Sequence, residues 1–200
     1  MKNMDPKYII ELTLKLFLTC VIVAGLLGGV NAITADKIAA INLAKTQEAM
    51  KLVVADPDSD FSEPMEITAE MEAAAASAGA SVTEAYAVEA GGAAAGHALK
   101  IVASGSQGSI EMMVGLDAEG AVTGVSVVKN SETAGIGSKV MENEPNSKGV
   151  GVLDQFIGKS AADGTLNVGS NVDAITGATV STKGITTGVN AAIAVAGVLG

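Results

Sequence analysis

Apolar residues follow three patterns along this chain. Residues 16–35 carry no charge and are mostly Leu, Val, Ile, Ala and Gly. At about 1.5 Å per residue they make about 30 Å of helix, the hydrocarbon thickness of a bilayer. Asp5 suits the N-cap of that helix, Pro6 its first position, and Glu11 with Lys15 an i,i+4 pair. After Asp36 the helical spacing continues amphipathically through Ile38, Ile41, Leu43 and Ala44 toward Met50 and Val53. Residues 56–64, with Asp-Pro and Glu-Pro steps, read as the break that ends it. Residues 67–78, rich in Glu and Ala, predict a short surface helix, and the Ala/Gly stretch 90–96 reads as a loop.

The second pattern is alternation. Residues 81–90, 98–104, 110–116 and 121–128 read as strands, and the turns Gly105-Ser106-Gln107-Gly108 and Asp117-Ala118-Glu119-Gly120 make the last three an antiparallel meander. The third pattern is the small, apolar stretch 181–198, which predicts a C-terminal helix. The fold class is therefore α+β, a transmembrane helix followed by a domain with an antiparallel sheet and flanking helices.

A cleaved signal peptide is the alternative to the anchor. Val30-Asn31-Ala32 resembles a cleavage site and residues 16–27 an h-region. Against it, the segment before the apolar run is long and carries acids, and the helical pattern runs through the cut. Lys2, Lys7 and Lys15 precede the run, while Lys37, Lys45 and Lys51 follow it. The positive-inside rule then leans slightly toward a cytoplasmic N-terminus, with everything after Asp36 on the outer face.

Composition removes several classes of function. Two hundred residues allow one ordinary domain and an appendage. With no Trp, two Tyr and three Phe, the core has to come from Val, Ile, Leu, Met and Ala. A net charge of −10 argues against nucleic acid. Cys20 and His97 are the single cysteine and histidine, too few for an iron–sulfur or zinc site or an intrachain disulfide. Cys20 reads as a lipid-facing hydrophobe and His97 as a structural or surface residue. Redox chemistry here would need an organic cofactor, since His97 and the methionines are a poor set of haem ligands.

The candidate chemistry lies in Asp173-Ala174-Ile175-Thr176-Gly177-Ala178-Thr179. Its Gly-Ala step lets the backbone approach a ligand, and two threonine hydroxyls flank that step. A helix N-terminus follows, whose free N–H groups and dipole favour a phosphate. An ordinary turn and N-cap is the plain alternative. The pattern Asp-x-x-Thr-Gly-Ala-Thr resembles the flavinylation motif of the FMN-binding domain family, whose last threonine carries FMN as a phosphoester. Ser131-Glu132-Thr133-Ala134-Gly135-Ile136-Gly137-Ser138-Lys139 is similar to that family's second signature, Glu-Thr-Pro-Gly-Leu-Gly. Ala134 stands at the proline, and Asn130 is nearest the place of a histidine often found before the signature. The hairpin 116–125 and Gln155-Phe156-Ile157-Gly158-Lys159 also resemble family segments, so the likeness runs over about residues 97–195.

The resemblance implies FMN bound covalently to Thr179 by a flavin transferase that draws on FAD and a divalent metal. Asp173 would belong to the recognised motif, and Thr176, Gly177 and Ala178 would shape its turn. Ser181, Glu132, Thr133, Gly135 and Gly137 would complete the cofactor site, with Glu132 and Thr133 beside the ring or ribityl chain. No catalytic residue and no protein-bound metal are expected. The implied division is 1–35 for a cytoplasmic tip and span, 36–96 for a connector, and 97–200 for the FMN-binding domain.

Within the family, one span and this length resemble the G-subunit branch of Rnf-type complexes, which couple ferredoxin–NAD electron flow to ion translocation. Partners would then be the other membrane subunits, the transferase and the lipid bilayer of a prokaryotic cell, with the domain on the extracytoplasmic face. The C-subunit branch of the sodium-pumping NADH:quinone oxidoreductases and a stand-alone extracytosolic flavin carrier are the alternatives. A cofactor-free, membrane-anchored scaffold is the reading from a different class.

Overall fold

A computed structural model describes residues 6–56 and 58–199. The expected N-cap Asp5, and Lys2, lie outside the described residues. The chain divides into two units, Met1–Ala44 and Lys45–Gly200.

The first unit holds most of helix α1, which runs Pro6–Val53. It is long and apolar enough to cross a membrane. Leu16, Phe17, Leu18, Leu26 and Leu27 are exposed along it. Thr13, Thr19 and Thr34 each donate their hydroxyl to the carbonyl four residues back, at 2.9, 3.1 and 2.9 Å. A hydroxyl satisfied within its own helix suits an apolar surrounding. Lys15 pairs with Glu11 at 2.7 Å. Ile38, Ile41, Leu43 and Ala44 lie in the helix as the spacing predicts, and they are exposed. The helix buries a face only at Thr46, Ala49, Met50 and Val53, all in the second unit.

That unit is built on one antiparallel sheet, β1 (Asp60–Phe61), β2 (Ala80–Ala90), β3 (Ala93–Ser104), β4 (Ser109–Asp117) and β5 (Val122–Lys129), in sequential order. Helix α2 (Ala69–Ser77) starts at Thr68, whose hydroxyl accepts from Met71 N at 3.3 Å, with Glu70 and Glu72 in its first turn. The stretch expected to be a loop at 90–96 is mostly strand. Gly91 and Gly92, at φ 61° and 81°, close the β2–β3 hairpin, and Ala93 already pairs with Ala90. The domain boundary expected at 97 therefore falls inside β3, because poor strand formers are held there by their partner strand.

Alternation along β4 separates two faces. Ile110, Met112, Val114 and Leu116 join Leu99, Ile101 and Val122 in the main core, which is closed by Met71 and Ala75 of α2 and by helix α4 (Thr179–Leu199). On the other face Met113, Ala98, Val88 and Val128 meet Ala49, Met50 and Val53 at the end of α1. Gly115 and Gly124 are cross-strand partners there. A Cβ at Gly124 would sit 2.8 Å from Val53 Cα, so the bare glycine backbone lets the helix end lie on the sheet. The Thr123 hydroxyl donates to the Val53 carbonyl, one of the groups a helix end leaves unpaired.

Candidate functional site

Two loops meet at the start of α4. The second of them turns through Gly177, whose φ of 87° is left-handed backbone that suits glycine. Ala178 packs into the core, and Thr179 opens the helix as an exposed residue. Ala178 has no side-chain oxygen to cap the helix, and the first turn contains no acid. The Thr179 hydroxyl has no hydrogen-bond partner among the described residues. Thr176 beside it is exposed. Deeper in α4, Thr182 and Thr186 are buried and return their hydroxyls to Ala178 O and Thr182 O at 3.0 and 2.8 Å.

The other loop follows β5 and leads into the short helix α3 (Ser138–Met141). Asn130 Oδ1 accepts from Glu132 N at 3.1 Å, and Ser138 Oγ accepts from Gly135 N at 2.9 Å. The Thr133 carbonyl accepts from Ile136 N and Ser138 N at 3.2 and 3.3 Å. Glu132 ties this loop to the turn between β3 and β4 and to the first turn of α4. Its Oε1 accepts from Ser106 N and Gln107 N at 2.7 and 3.2 Å, and its Oε2 accepts from the buried Ser181 hydroxyl. Gly137 lies against that junction, where a Cβ would come 2.6 Å from Glu132 Oε2 and 2.9 Å from Ser181 Oγ. A Cβ at Gly177 would be 4.0 Å from Ile136 Cγ2, so the two loops lie close together beside Thr179.

Asp173 is held from both ends. Gln155 Oε1 accepts from Asp173 N at 2.8 Å, and Gln155 Nε2 donates to Asp173 O at 2.9 Å. Its carboxylate accepts from Lys148 Nζ at 2.7 Å. The exposed hydroxyl, the uncapped helix start and the apolar Ile136 and Val180, 50% and 56% exposed, fit a phosphorylated cofactor with a flat apolar ring.

Residues 105–194 match the FMN-binding domain family. The chain is 32% identical over 206 residues to the G subunit of the Na(+)-translocating ferredoxin:NAD(+) oxidoreductase complex of Acetobacterium woodii, covering 96% of this chain and 94% of that protein. It belongs to the G-subunit family. The G subunit of the proton-translocating ferredoxin:NAD(+) oxidoreductase complex of Clostridium ljungdahlii is 28% identical over 196 residues, with 96% and 94% covered. The G subunit of the ion-translocating oxidoreductase complex of Methanosarcina acetivorans is 32% identical over 108 residues, with 53% and 54% covered.

In this G-subunit chain the fold brings the two sequence motifs to one place. Thr176, Gly177, Thr179, Thr133 and Gly135 are exposed around the junction of the loops. Glu132 and Ser181 bond to the chain itself. The two carboxylate oxygens and the serine hydroxyl are spent on the chain itself, so this pair frames the site from beneath. Gln155 and Lys148 were not among the expected site residues. The resemblance of the 155–159 segment was a signal for Gln155, and nothing local marked Lys148.

His97 stands apart. It lines a cavity of about 320 Å3 with Asp117, Glu119, Ser160 and Ile193, and burial lowers its pKa below the ordinary 6.5. Among the described residues no cluster of three His, Cys, Asp or Glu side chains could hold a metal.

Proposed function

We propose that this G-subunit chain is a membrane-anchored electron carrier that holds FMN through a phosphoester on Thr179. It would serve an Rnf-type ferredoxin:NAD oxidoreductase coupled to ion translocation, beside that complex's other membrane subunits. Helix α1 would anchor it in a prokaryotic cell membrane, with the FMN-binding domain on the extracytoplasmic face. The observation that carries the reading is that two loops distant in sequence lie close together beside Thr179, whose exposed hydroxyl, without a partner among the described residues, stands at a helix start.

Each residue then has a task. Gln155 and Lys148 fix Asp173, and the Thr176–Gly177–Ala178 turn presents Thr179 to a flavin transferase. The Thr179 Oγ1–phosphorus bond forms as the bond from that phosphorus to the AMP half of FAD breaks, and the hydroxyl proton is released. Bound FMN supplies one- and two-electron chemistry. Ile136 and Val180 offer apolar surface beside the tether, while Thr133 and Gly135 line the open side. An exposed site suits a relay that must meet partner proteins.

Co-expression with the transferase, denaturing electrophoresis and ultraviolet imaging test the attachment. A fluorescent band that disappears completely in Thr179→Ala is expected, and a dark wild-type band overturns the reading. Purification in mild detergent tests the assembly. Co-purifying membrane subunits are expected, whereas a flavinylated chain that emerges alone favours a stand-alone carrier.

A further inference from the structure

The chain contains no arginine, so any phosphate it holds by side-chain charge must be held by lysine. Six lysines lie beyond residue 54, and five of them pair with carboxylates. Lys100 meets Glu84 at 2.8 Å, Lys129 meets Glu111 at 3.1 Å, and Lys139 meets Glu144 at 3.9 Å. Lys148 meets Asp173 at 2.7 Å and Lys159 meets Asp163 at 2.9 Å. Lys183 is exposed and pairs with no carboxylate among the described residues. Among the lysines beyond residue 54, Lys183 is thus the one without a carboxylate partner in the described structure.

Its position gives it a use. Lys183 follows Thr179 by four residues on α4, so the two share one helix face a single turn apart. Helical Cα–Cβ bonds tilt toward the N-terminus, which leans the Lys183 side chain back over the turn that carries Thr179. The axial separation of about 6 Å is within reach of a four-carbon stem. The carboxylates of the site are already engaged, Glu132 by Ser181 and two backbone amides and Asp173 by Lys148.

We propose that Lys183 is the counter-ion of the phosphate esterified to Thr179. The inference rests on the flavin attachment proposed above. The diester keeps one negative charge, which the uncapped amides at the start of α4 meet along the helix axis and the Lys183 ammonium meets from the side. Lysine suits this as a mobile point charge that leaves the ester open to the solvent and to the transferase.

The test compares flavinylated and unflavinylated full-length chain in detergent for wild type, Lys183→Arg, Lys183→Gln and Lys183→Glu. Taking the difference within each variant cancels any effect of the substitution on the fold itself. At low salt, flavinylation is expected to raise the melting midpoint of wild type and Lys183→Arg by about 2 °C. The gain should shrink in Lys183→Gln to the share the helix start supplies and shrink further in Lys183→Glu, and 0.5 M NaCl, as about 4 Å of Debye screening, should narrow the differences. Equal gains in all four proteins overturn the proposal. A variant that takes up flavin more slowly yet shows the full gain also overturns it, because the lysine then meets the pyrophosphate of FAD and not the finished ester. A dark wild-type band, scored before any Lys183 variant, removes the attachment itself and is thereby distinguished from a failure of the counter-ion.

Discussion

Two helices among the described residues are long and apolar enough to cross a membrane, and they spend that property differently. Over Thr179–Leu199, α4 buries Ile185, Val189, Ala191, Ala192, Ile193 and Val195 in the core of the second unit. Over α1, the most apolar window buries nothing. Hydropathy measures the tendency to leave water and is silent on the destination. Side-chain size separates the two. Helix α4 is rich in Ala, Gly, Thr and Val, which let it approach a sheet closely, with Gly184 facing the Ser104 carbonyl and Gly188 facing Met112. Helix α1 carries Leu, Ile and Phe outward, and its Gly25, Gly28 and Gly29 have nothing within 4 Å of an added Cβ.

A charge placed in each helix should break the likeness most sharply. Val189 is fully buried, and Val23 is exposed on α1. Val189→Asp leaves an unpaired carboxylate in the core and is expected to destabilise the domain by about 4 kcal/mol or more, read by denaturant unfolding. Val23→Asp should leave that unfolding curve unchanged and weaken retention in the membrane fraction, at about 3 kcal/mol on insertion scales. If Val189→Asp unfolds like wild type, or Val23→Asp shifts the domain's curve, the division between a core helix and a lipid-facing helix fails.

One substitution made in both helices gives a smaller and finer contrast. Gly→Ala in a helix interior normally gains up to about 1 kcal/mol. At Gly184 the new Cβ would stand 2.6 Å from Ser104 O and 3.3 Å from Gly105 Cα, both backbone atoms that cannot swing away. Gly184→Ala should therefore lose about 1–2 kcal/mol net, since overpacking costs about 1–3 kcal/mol. Gly28→Ala meets empty space and should leave the domain's melting midpoint in place. A stabilised Gly184→Ala would mean that α4 stands off the sheet.

The meander was legible because Val, Ile and Met alternate over 110–116 and 121–128, and only one register puts that face on a core. Strand β1 was not, since Asp60 and Phe61 lie inside a turn-rich break and become a strand only by pairing with Glu89 and Val88. The first residues of β3 hid for a similar reason, in Ala and Gly that a neighbouring strand holds extended. At the site, the glycines and threonines of both motifs were visible from spacing. The bond from Ser181 to Glu132 was not, because it joins residues 49 apart and neither one marks the other locally. The Gln155 clamp on Asp173 spans 18 residues, and although the 155–159 segment marked Gln155, nothing local marked Asp173 as its partner. Ile38, Ile41 and Leu43 show the converse case, a helical period that no described partner covers.

The smallest predicted effect concerns the sheet face turned away from α4. There Glu84 accepts from Lys100 Nζ at 2.8 Å and from the Tyr86 hydroxyl at 2.6 Å. Burial alone would raise the Glu84 pKa. The hydrogen bonds from Lys100 and Tyr86, with the Lys100 charge, outweigh it and hold the carboxyl below its ordinary 4.5. Burial and the same carboxylate push the Tyr86 hydroxyl upward. A carboxyl depressed on folding adds stability that is fully present above its unfolded value and is lost as pH falls through the folded one. Wild type should therefore melt above Glu84→Gln at pH 7, and the gap should close progressively below about pH 4.5. Comparing the two proteins isolates this carboxyl, because every other titrating group is common to both. A gap that stays constant from pH 7 to pH 3 would assign the loss in Glu84→Gln to packing and not to charge.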